Sequence, residues 1–329
     1  MLNEIHSFGY LKLVSAYKKL SGFKIKIVKS KLFWIFTTVF SLSIAVYSLK
    51  LEAIAWFYWH AFKNPHDAHS LNLKDYQVEI DGLVIPELKN ASGFTHNAKT
   101  NTLFTVLNQE SQIVELDLNG QVMRKIHVTG VDDMEGITHI AENRYVIADE
   151  RDNRLVLVII EDDSVDIDVT NAPKLRLGIN PSGNKNFEGV SWDDSNQRLL
   201  VVKERDPKYV MSVTGFFDAE IGKPLDIEIK KIETFEAAIK WAMRDLSSVA
   251  YDSETGHLLL LSDESRLIKE YSEDGKAVGA LALWKGFHGL KAHVPQAEGI
   301  AVGLDGRIYI MSEPNLFYSF TPQTVKSLF

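Results

Sequence analysis

The chain has no cysteine among its 329 residues. That excludes a disulfide framework, a thiolate metal site and a cysteine nucleophile. It also lacks a G-x-S-x-G elbow, a Walker-type phosphate loop and an HExxH pair, which removes the commonest hydrolase, nucleotide-binding and zinc-protease signatures. Positive charge is in short supply: 36 Lys and Arg face 44 Asp and Glu, a net charge of −8. A nucleic-acid partner is therefore not expected, since neutralising phosphates needs a basic face. What is present, 45% hydrophobic and 24% charged residues, is the balance of a folded protein with one large or two ordinary domains.

The charge is unevenly spread. The first fifty residues hold eight lysines, no arginine and a single acid, Glu4, which leaves residues 51–329 with a net charge of about −15. Between Lys31 and Lys50 runs LFWIFTTVFSLSIAVYSL, residues 32–49, without a charge. As a helix it would extend about 27 Å, near the thickness of the hydrocarbon core. The aromatic run Trp56, Phe57, Tyr58, Trp59 follows, and such rings prefer a bilayer interface. Seven lysines precede the apolar stretch, so the positive-inside rule predicts a cytoplasmic N-terminus and an acidic body on the far side. In a Gram-negative cell that is the periplasm. A cleaved signal peptide fits less well: thirty-one residues come first, and Ala53-Ile54-Ala55 beside Glu52 is a weak cleavage site. The expected organisation is a basic cytoplasmic segment (1–31), a membrane anchor of the inner membrane (32–49), a juxtamembrane linker (50–74) and an exported domain (75–329). His60, His66 and His69 in the linker match no standard metal spacing.

The exported part repeats. NASGF (90–94), DMEGI (133–137), NFEGV (186–190), DLSSV (245–249) and QAEGI (296–300) recur at intervals of 43, 53, 59 and 51 residues, the size of a four-stranded propeller blade. Each opens a short strand that leads through a polar turn to a buried-type strand: TLFTVL, YVIAD, LLVVK, LLLLS and IYIMS. Each of these runs on to a glutamate, Glu110, Glu150, Glu204, Glu264 or Glu313. Third strands follow, and QVMRKIHV, VDIDV, LDIEIKK and AVGALAL supply a fourth in the first four units. The fifth unit runs short, and YQVEIDGL (76–83) can complete it, closing the ring and removing a free sheet edge. The expected fold class is thus all-β, a β-propeller of five blades behind one transmembrane helix. Six blades is the alternative if the insert from Gly215 to Arg244 hides a degenerate unit, but FEAAIKWAMRD (235–245) within it has helical spacing.

This topology gathers acids. First strands start, and second strands end, at one face of the disc. Asp133, Glu135, Asn186, Glu188, Asp245, Gln296 and Glu298 should ring one mouth of the channel, with Glu110, Glu150, Glu204, Glu264, Glu313, Asp149 and Asp263 in a second row near Lys203 and Arg205. Crowded carboxylates must take up protons, meet basic partners or bind a cation. Oxygen ligands without sulfur point to Ca2+ before Mg2+ or Zn2+, with Glu135, Glu188, Glu298, Asp133, Asn186 and Asp245 as the expected ligands. For the second row, pairing with Arg151, Lys203, Arg205 and Arg266 is the simpler expectation.

At DMEGI with IADERDNRL, NFEGV with VVKERDP, DLSSVAYDSETGHLLLLSDES, and QAEGIAVGLDGRIYIMSEPNLFYSF, the chain resembles the SdiA-regulated (YjiK-like) family of bacterial β-propellers. The resemblance covers residues 75–325 and implies a membrane-anchored, exported propeller with calcium as its ion, but no reaction. Ser92 and Ser247-Ser248 depart from its E-G pair. Two roles are open: a non-enzymatic envelope protein that binds a small ligand or another envelope protein, and a calcium-dependent hydrolase with His139, His288 or His293 as base.

Overall fold

The computed structural model describes residues 31–63, 69–178, 187–221, 223–224 and 226–323. Asn186 and His66 lie outside these. The chain divides between Leu51 and Glu52 into two units. The described part of the first is α1 (Lys31–Ser48), an apolar helix long enough to span a membrane, with none of its residues buried. Two of its hydroxyls bond within the helix: Thr37 Oγ1 donates to Trp34 O at 3.0 Å and Ser43 Oγ to Val39 O at 2.9 Å. That arrangement suits an apolar solvent, where an unmet polar group is costly.

The second unit begins one residue into α2 (Leu51–Lys63) and continues through β1 (Tyr76–Val84). Blade 1 is β2 (Ala91–Asn97), β3 (Thr102–Leu107), β4 (Gln112–Leu116) and β5 (Val122–Thr129). Blade 2 opens with β6 (Met134–Ala141), β7 (Arg144–Asp149) and β8 (Arg154–Ile159), and two short strands follow, β9 (Asp166–Asp168) and β10 (Lys174–Arg176). Blade 3 is β11 (Phe187–Asp193), β12 (Arg198–Lys203), β13 (Tyr209–Thr214) and β14 (Glu228–Lys231), trailed by helix α3 (Glu233–Lys240). Blade 4 is β15 (Ser248–Asp252), β16 (His257–Ser262), β17 (Leu267–Tyr271) and β18 (Ala277–Ala282). Blade 5 is β19 (Ala297–Val302), β20 (Ile308–Ser312) and β21 (Leu316–Pro322), and β1 pairs with β21 as its outer strand.

Five sheets therefore form five blades, and the N-terminal strand closes the ring as the sequence predicts. The insert before Arg244 supplies β14 and α3 and no further sheet, so the six-blade alternative falls. One assignment differs. The VDIDV segment is not the outer strand of blade 2: β9 pairs in parallel with β5 as a fifth strand of blade 1, and β10 takes the outer place on β8. The turn before β9 is held on blade 1 by Arg124 of β5, whose Nη1 donates to the carbonyls of Glu161 (2.7 Å) and Asp162 (2.9 Å).

The middle strands are apolar on both faces because each core lies between neighbouring blades. On β7, Tyr145 and Ile147 pack toward blade 1, while Val146 and Ala148 pack toward blade 3. This alternation is the period of two that a strand imposes.

Around the axis the inner strands come very close. A Cβ on Gly299 would lie 2.7 Å from Phe94 Cβ, one on Gly189 2.9 Å from Ser248 Cα, and one on Gly93 2.7 Å from Glu135 O. Blades are stitched here by hydroxyls: Thr95 Oγ1, Thr138 Oγ1 and Ser191 Oγ accept the amides of His139 (3.1 Å), Trp192 (3.0 Å) and Tyr251 (2.9 Å) on the next inner strand.

Helix α2 packs on blade 4. Ala53 and Phe57 are buried against Ala280, Ala282 and Trp284, and Glu52 pairs with Arg244, whose Nε lies 2.6 Å from Oε1. Residues 52–63, expected as linker, thus carry a packed helix. The Trp56 ring sits 4.9 Å from the Nζ of Lys269, a fully buried amine with no hydrogen-bond acceptor among the described residues. Burial pushes this lysine down to about 8. Because its folded pKa lies below the unfolded value, its charge opposes folding at neutral pH and ceases to do so above the ordinary lysine range.

Two outcomes follow from this packing. Gly299→Ala should destabilise the propeller by about 1–3 kcal/mol, since backbone and a buried Phe94 Cβ must move; urea unfolding monitored by circular dichroism measures it. Lys269→Met should stabilise at pH 7 by about 1–3 kcal/mol, with the gain disappearing above pH 10; thermal unfolding across that pH range checks both statements.

Candidate functional site

All five inner strands start at one mouth of the channel, and the second strands return to it. In blades 1, 2, 3 and 5 the ladder between first and second strand slips by one residue beside the glycine of the repeat, at Ser92/Phe94, Met134/Gly136, Phe187/Gly189 and Ala297/Gly299. These are β-bulges, which re-aim the side chain beside them. Glu135, Glu188 and Glu298 occupy the slipped positions and turn into the mouth. Blade 4 carries Ser247-Ser248 in place of the E-G pair and has a continuous ladder; there Ser247 Oγ donates to Ala297 O at 2.7 Å.

The result is a cavity of about 330 Å³. Glu135, Glu188, Asp245 and Glu298 line it together with Glu150, Glu204, Asp263, Glu264 and Glu313. Among the described residues that is nine carboxylates, against one lining cation, Arg205. Arg205 is already engaged, with Glu204 and, at 2.7 Å, with Glu264, so pairing accounts for those two acids. No cation among the described residues pairs with Glu135, Glu188 or Glu298.

The ladders correct the second row. Asn108 N donates to Asn90 O (3.3 Å) as Glu150 N does to Asp133 O and Glu313 N to Gln296 O (both 2.9 Å), so Asn108 is the blade 1 equivalent. Glu110 lies two residues further on and pairs with Lys89 at 3.1 Å on the surface. In blade 4 the pairing of Ser248 with Leu261 makes Asp263 the equivalent residue. Asp149 is drawn away from the cavity by Arg154, 2.7 Å distant, because the last residue of β7 points to the blade's other side. Lys203 does not line the cavity either; its amine donates to the Arg205 carbonyl. Asn186 falls outside the described residues, so its expected role there has no counterpart to report.

Asn108 is a cavity-lining residue that the repeat alone does not reveal. It lines the cavity and donates to Glu135 Oε1 at 3.1 Å, while its own Oδ1 is buried without a donor. The signal was its position directly after the second strand, obscured by the glutamate two residues later. Close by, Asp133, Glu135 and Glu150 each offer a carboxylate oxygen within 4.8 Å of the others. An oxygen-only donor set with an unmet buried amide oxygen in the same cavity fits a hard cation such as Ca2+. Asp245 is differently used: it accepts from Ser262 Oγ and from Glu264 N at 3.1 Å, which fixes the turn after β16.

Burial dominates the electrostatics. It raises Glu135 to about 7, partly offset by hydrogen bonds from Ser92 and Asn108. Glu298 is pushed up to about 9, by burial first and then by Asp263, Glu313, Asp245 and Glu135. Glu188 lies well above its ordinary value, from burial and then from Glu135, Glu150, Glu204 and Glu298. Asp245 reaches about 6 by burial, against the hydrogen bond from Ser262. None of the described histidines lines this cavity. His139 is at the far end of β6, its ring tilted against that of Tyr145 with centroids 4.9 Å apart, and His288 is buried against the Tyr76 carbonyl at 2.9 Å.

A five-bladed propeller with a carboxylate-lined channel mouth is the class of protein that fold and site define. The chain belongs to the SdiA-regulated family, whose model matches residues 68–321. Among solved structures it is similar to regucalcin, a calcium-binding protein from Agrobacterium tumefaciens, at 12% identity over 73% of this chain and 92% of that one, with a TM-score of 0.46. A gluconolactonase from Xanthomonas campestris matches at 11% identity over 79% and 94%, TM-score 0.46. Virginiamycin B lyase from Staphylococcus aureus matches at 13% identity over 77% and 76%, TM-score 0.40. Likenesses this distant say nothing of what the present chain binds.

In the absence of divalent ions, stability should fall as pH rises from 5 to 9. The raised acids hold protons in the folded state that the unfolded chain releases near pH 4.5, so each contributes a folding cost that grows from the unfolded to the raised folded pKa and persists above it. Thermal midpoints in chelator across this range measure it, and Glu298→Gln should make the upper part of the curve less steep by removing a carboxyl pushed up to about 9.

Proposed function

We propose that this SdiA-regulated propeller is a single-pass protein of the inner membrane, N-terminus cytoplasmic and propeller periplasmic, whose acidic mouth binds Ca2+ and whose role is to bind a small ligand or another envelope protein. The single observation that supports the ion is the charge imbalance of the cavity, nine carboxylates with one arginine that is already paired. Asp133, Glu135 and Glu150 would hold it, with the amide oxygen of Asn108 in reach of the same space. A bound calcium ion supplies charge neutralisation and a polarising centre. The chain's own residues then present Glu188, Glu298 and Glu313 around it, and a ligand entering the mouth meets this acidic collar. The membrane reading draws on α1, an apolar helix that begins at the last of seven N-terminal lysines and is followed by an acidic body.

Calcium-dependent hydrolysis is the second reading, favoured by one observation. Glu135, with a proton affinity near neutrality, is suited to general-base work beside the same cluster. It would replace the histidine base, since His139 faces the opposite mouth.

Calcium titration separates these statements. At about 100-fold excess over Kd, binding should stabilise wild type by ~2.7 kcal/mol, or roughly 5–10 °C in Tm. A Glu135→Gln, Glu150→Gln double variant should lose this shift, and Glu188→Gln, Glu298→Gln should keep most of it. The absence of any shift in wild type removes the ion. Turnover of a lactone, aryl ester or phosphate ester that vanishes in Glu135→Gln would favour hydrolysis over binding.

A further inference from the structure

The far end of the channel is chemically unlike the acidic one. Three residues beyond each repeat glycine or its serine substitute, the inner strands carry His96, His139, Trp192, Tyr251 and Val302. These are equivalent places in the five ladders, opposite Leu103, Tyr145, Leu199, Leu258 and Ile308. All five line a depression of about 430 Å³. Four blades of the five thus contribute a planar π side chain to one mouth. No lysine or arginine among the described residues lines it, and the exposed carboxylates of Asp194 and Glu254 stand at its edge.

The two imidazoles add no positive charge. His139 Nε2 lies 3.0 Å from the Glu142 carbonyl, which can only accept, so this nitrogen carries the proton. His96 Nε2 lies 2.9 Å from Asn101 Oδ1. Burial lowers both rings below the ordinary histidine value, so at neutral pH they are uncharged aromatic surface. An anionic ligand would meet carboxylates and no basic partner here. An inorganic cation would find few oxygens pointing inward, because the hydroxyls of Thr95, Thr138 and Ser191 already accept backbone amides. A positively charged organic group gains from both features, aromatic faces that attract cations and carboxylates at the rim.

We propose that this second mouth is a binding site for a small quaternary ammonium ligand, seated against Trp192 and Tyr251 and steered by Asp194 and Glu254. The site is separate from the acidic cavity and needs no calcium.

Calorimetric titration of the full-length chain in detergent, with chelator present, tests this with choline and its neutral isostere 3,3-dimethylbutan-1-ol. Choline should bind at one site per chain, and the isostere at least about tenfold more weakly, since the charge supplies the cation–π attraction. Trp192→Leu and Tyr251→Leu should each weaken choline about tenfold, whereas Tyr251→Phe, which keeps the ring, should stay within about twofold. Asp194→Asn with Glu254→Gln gives a surface variant that retains the fold and should weaken binding by several-fold at low salt only. Glu135→Gln should leave choline binding unchanged, so failure of the calcium reading leaves this result intact. No binding of choline, equal binding of the isostere, or undiminished binding by both the Trp192→Leu and Tyr251→Leu variants would overturn the proposal; should either variant unfold, the other together with Tyr251→Phe decides it.

Discussion

The close approach of the five inner strands around the axis governs the rest of the molecule. These strands do not form ladders with one another, yet a Cβ at Gly93, Gly189 or Gly299 would overlap the next blade. Each contact is made by a glycine at one height and by a hydroxyl at another. Thr95, Thr138 and Ser191 accept the amides that would otherwise be left without partners at a buried strand edge. The glycine also permits the bulge, and the bulge turns the preceding glutamate toward the axis. One packing solution thus brings the blades together and points acids into a single opening.

That opening carries an electrostatic cost. Glu135 and Glu188 stand half-buried on the adjacent inner strands of blades 2 and 3, and Glu298 on that of blade 5, and desolvation more than mutual repulsion raises their proton affinity. Arg205 relieves the side formed by blades 3 and 4 through Glu204 and Glu264. On the side formed by blades 1 and 2 the described lining holds no arginine, and there Glu135 and Glu150 converge with Asp133, which lies 4.0 Å from Arg151 Nε. The asymmetry follows from individual residues: Ser92 and Ser247 stand where a perfect ring would have glutamate, so no five-fold site exists. The same strands emerge at the other mouth with aromatic residues, which gives one channel two chemically distinct ends.

Much of this was legible in the sequence. The five pentapeptides marked the inner strands, the apolar runs after them marked the strands buried on both faces, and YQVEIDGL marked the closing strand; each reflects a local period of two within a repeat. Less legible were features that depend on how two strands align. Glu110 looked like a member of the second row because it ended the same kind of run, but the ladder puts Asn108 there. Asp149 sat beside Glu150 in sequence and faces the opposite way, toward Arg154, because adjacent residues of a strand alternate. β9 crossed to blade 1 because Arg124 captures the turn before it, a contact between residues 37 and 38 positions apart.

Sequence by itself determined the repeat, the blade number once the insert read as a helix, the closing strand, and the identity of most acids at the mouth. These are set by residue type at fixed spacing, which one strand can express alone. Tertiary structure decided which acids share a cavity, which are neutralised by arginine, that α2 packs on blade 4 over a buried lysine, and that the far mouth gathers imidazole, indole and phenol rings. Those outcomes depend on bulges, on register and on contacts between blades, which arise when separate stretches of chain meet around a common axis.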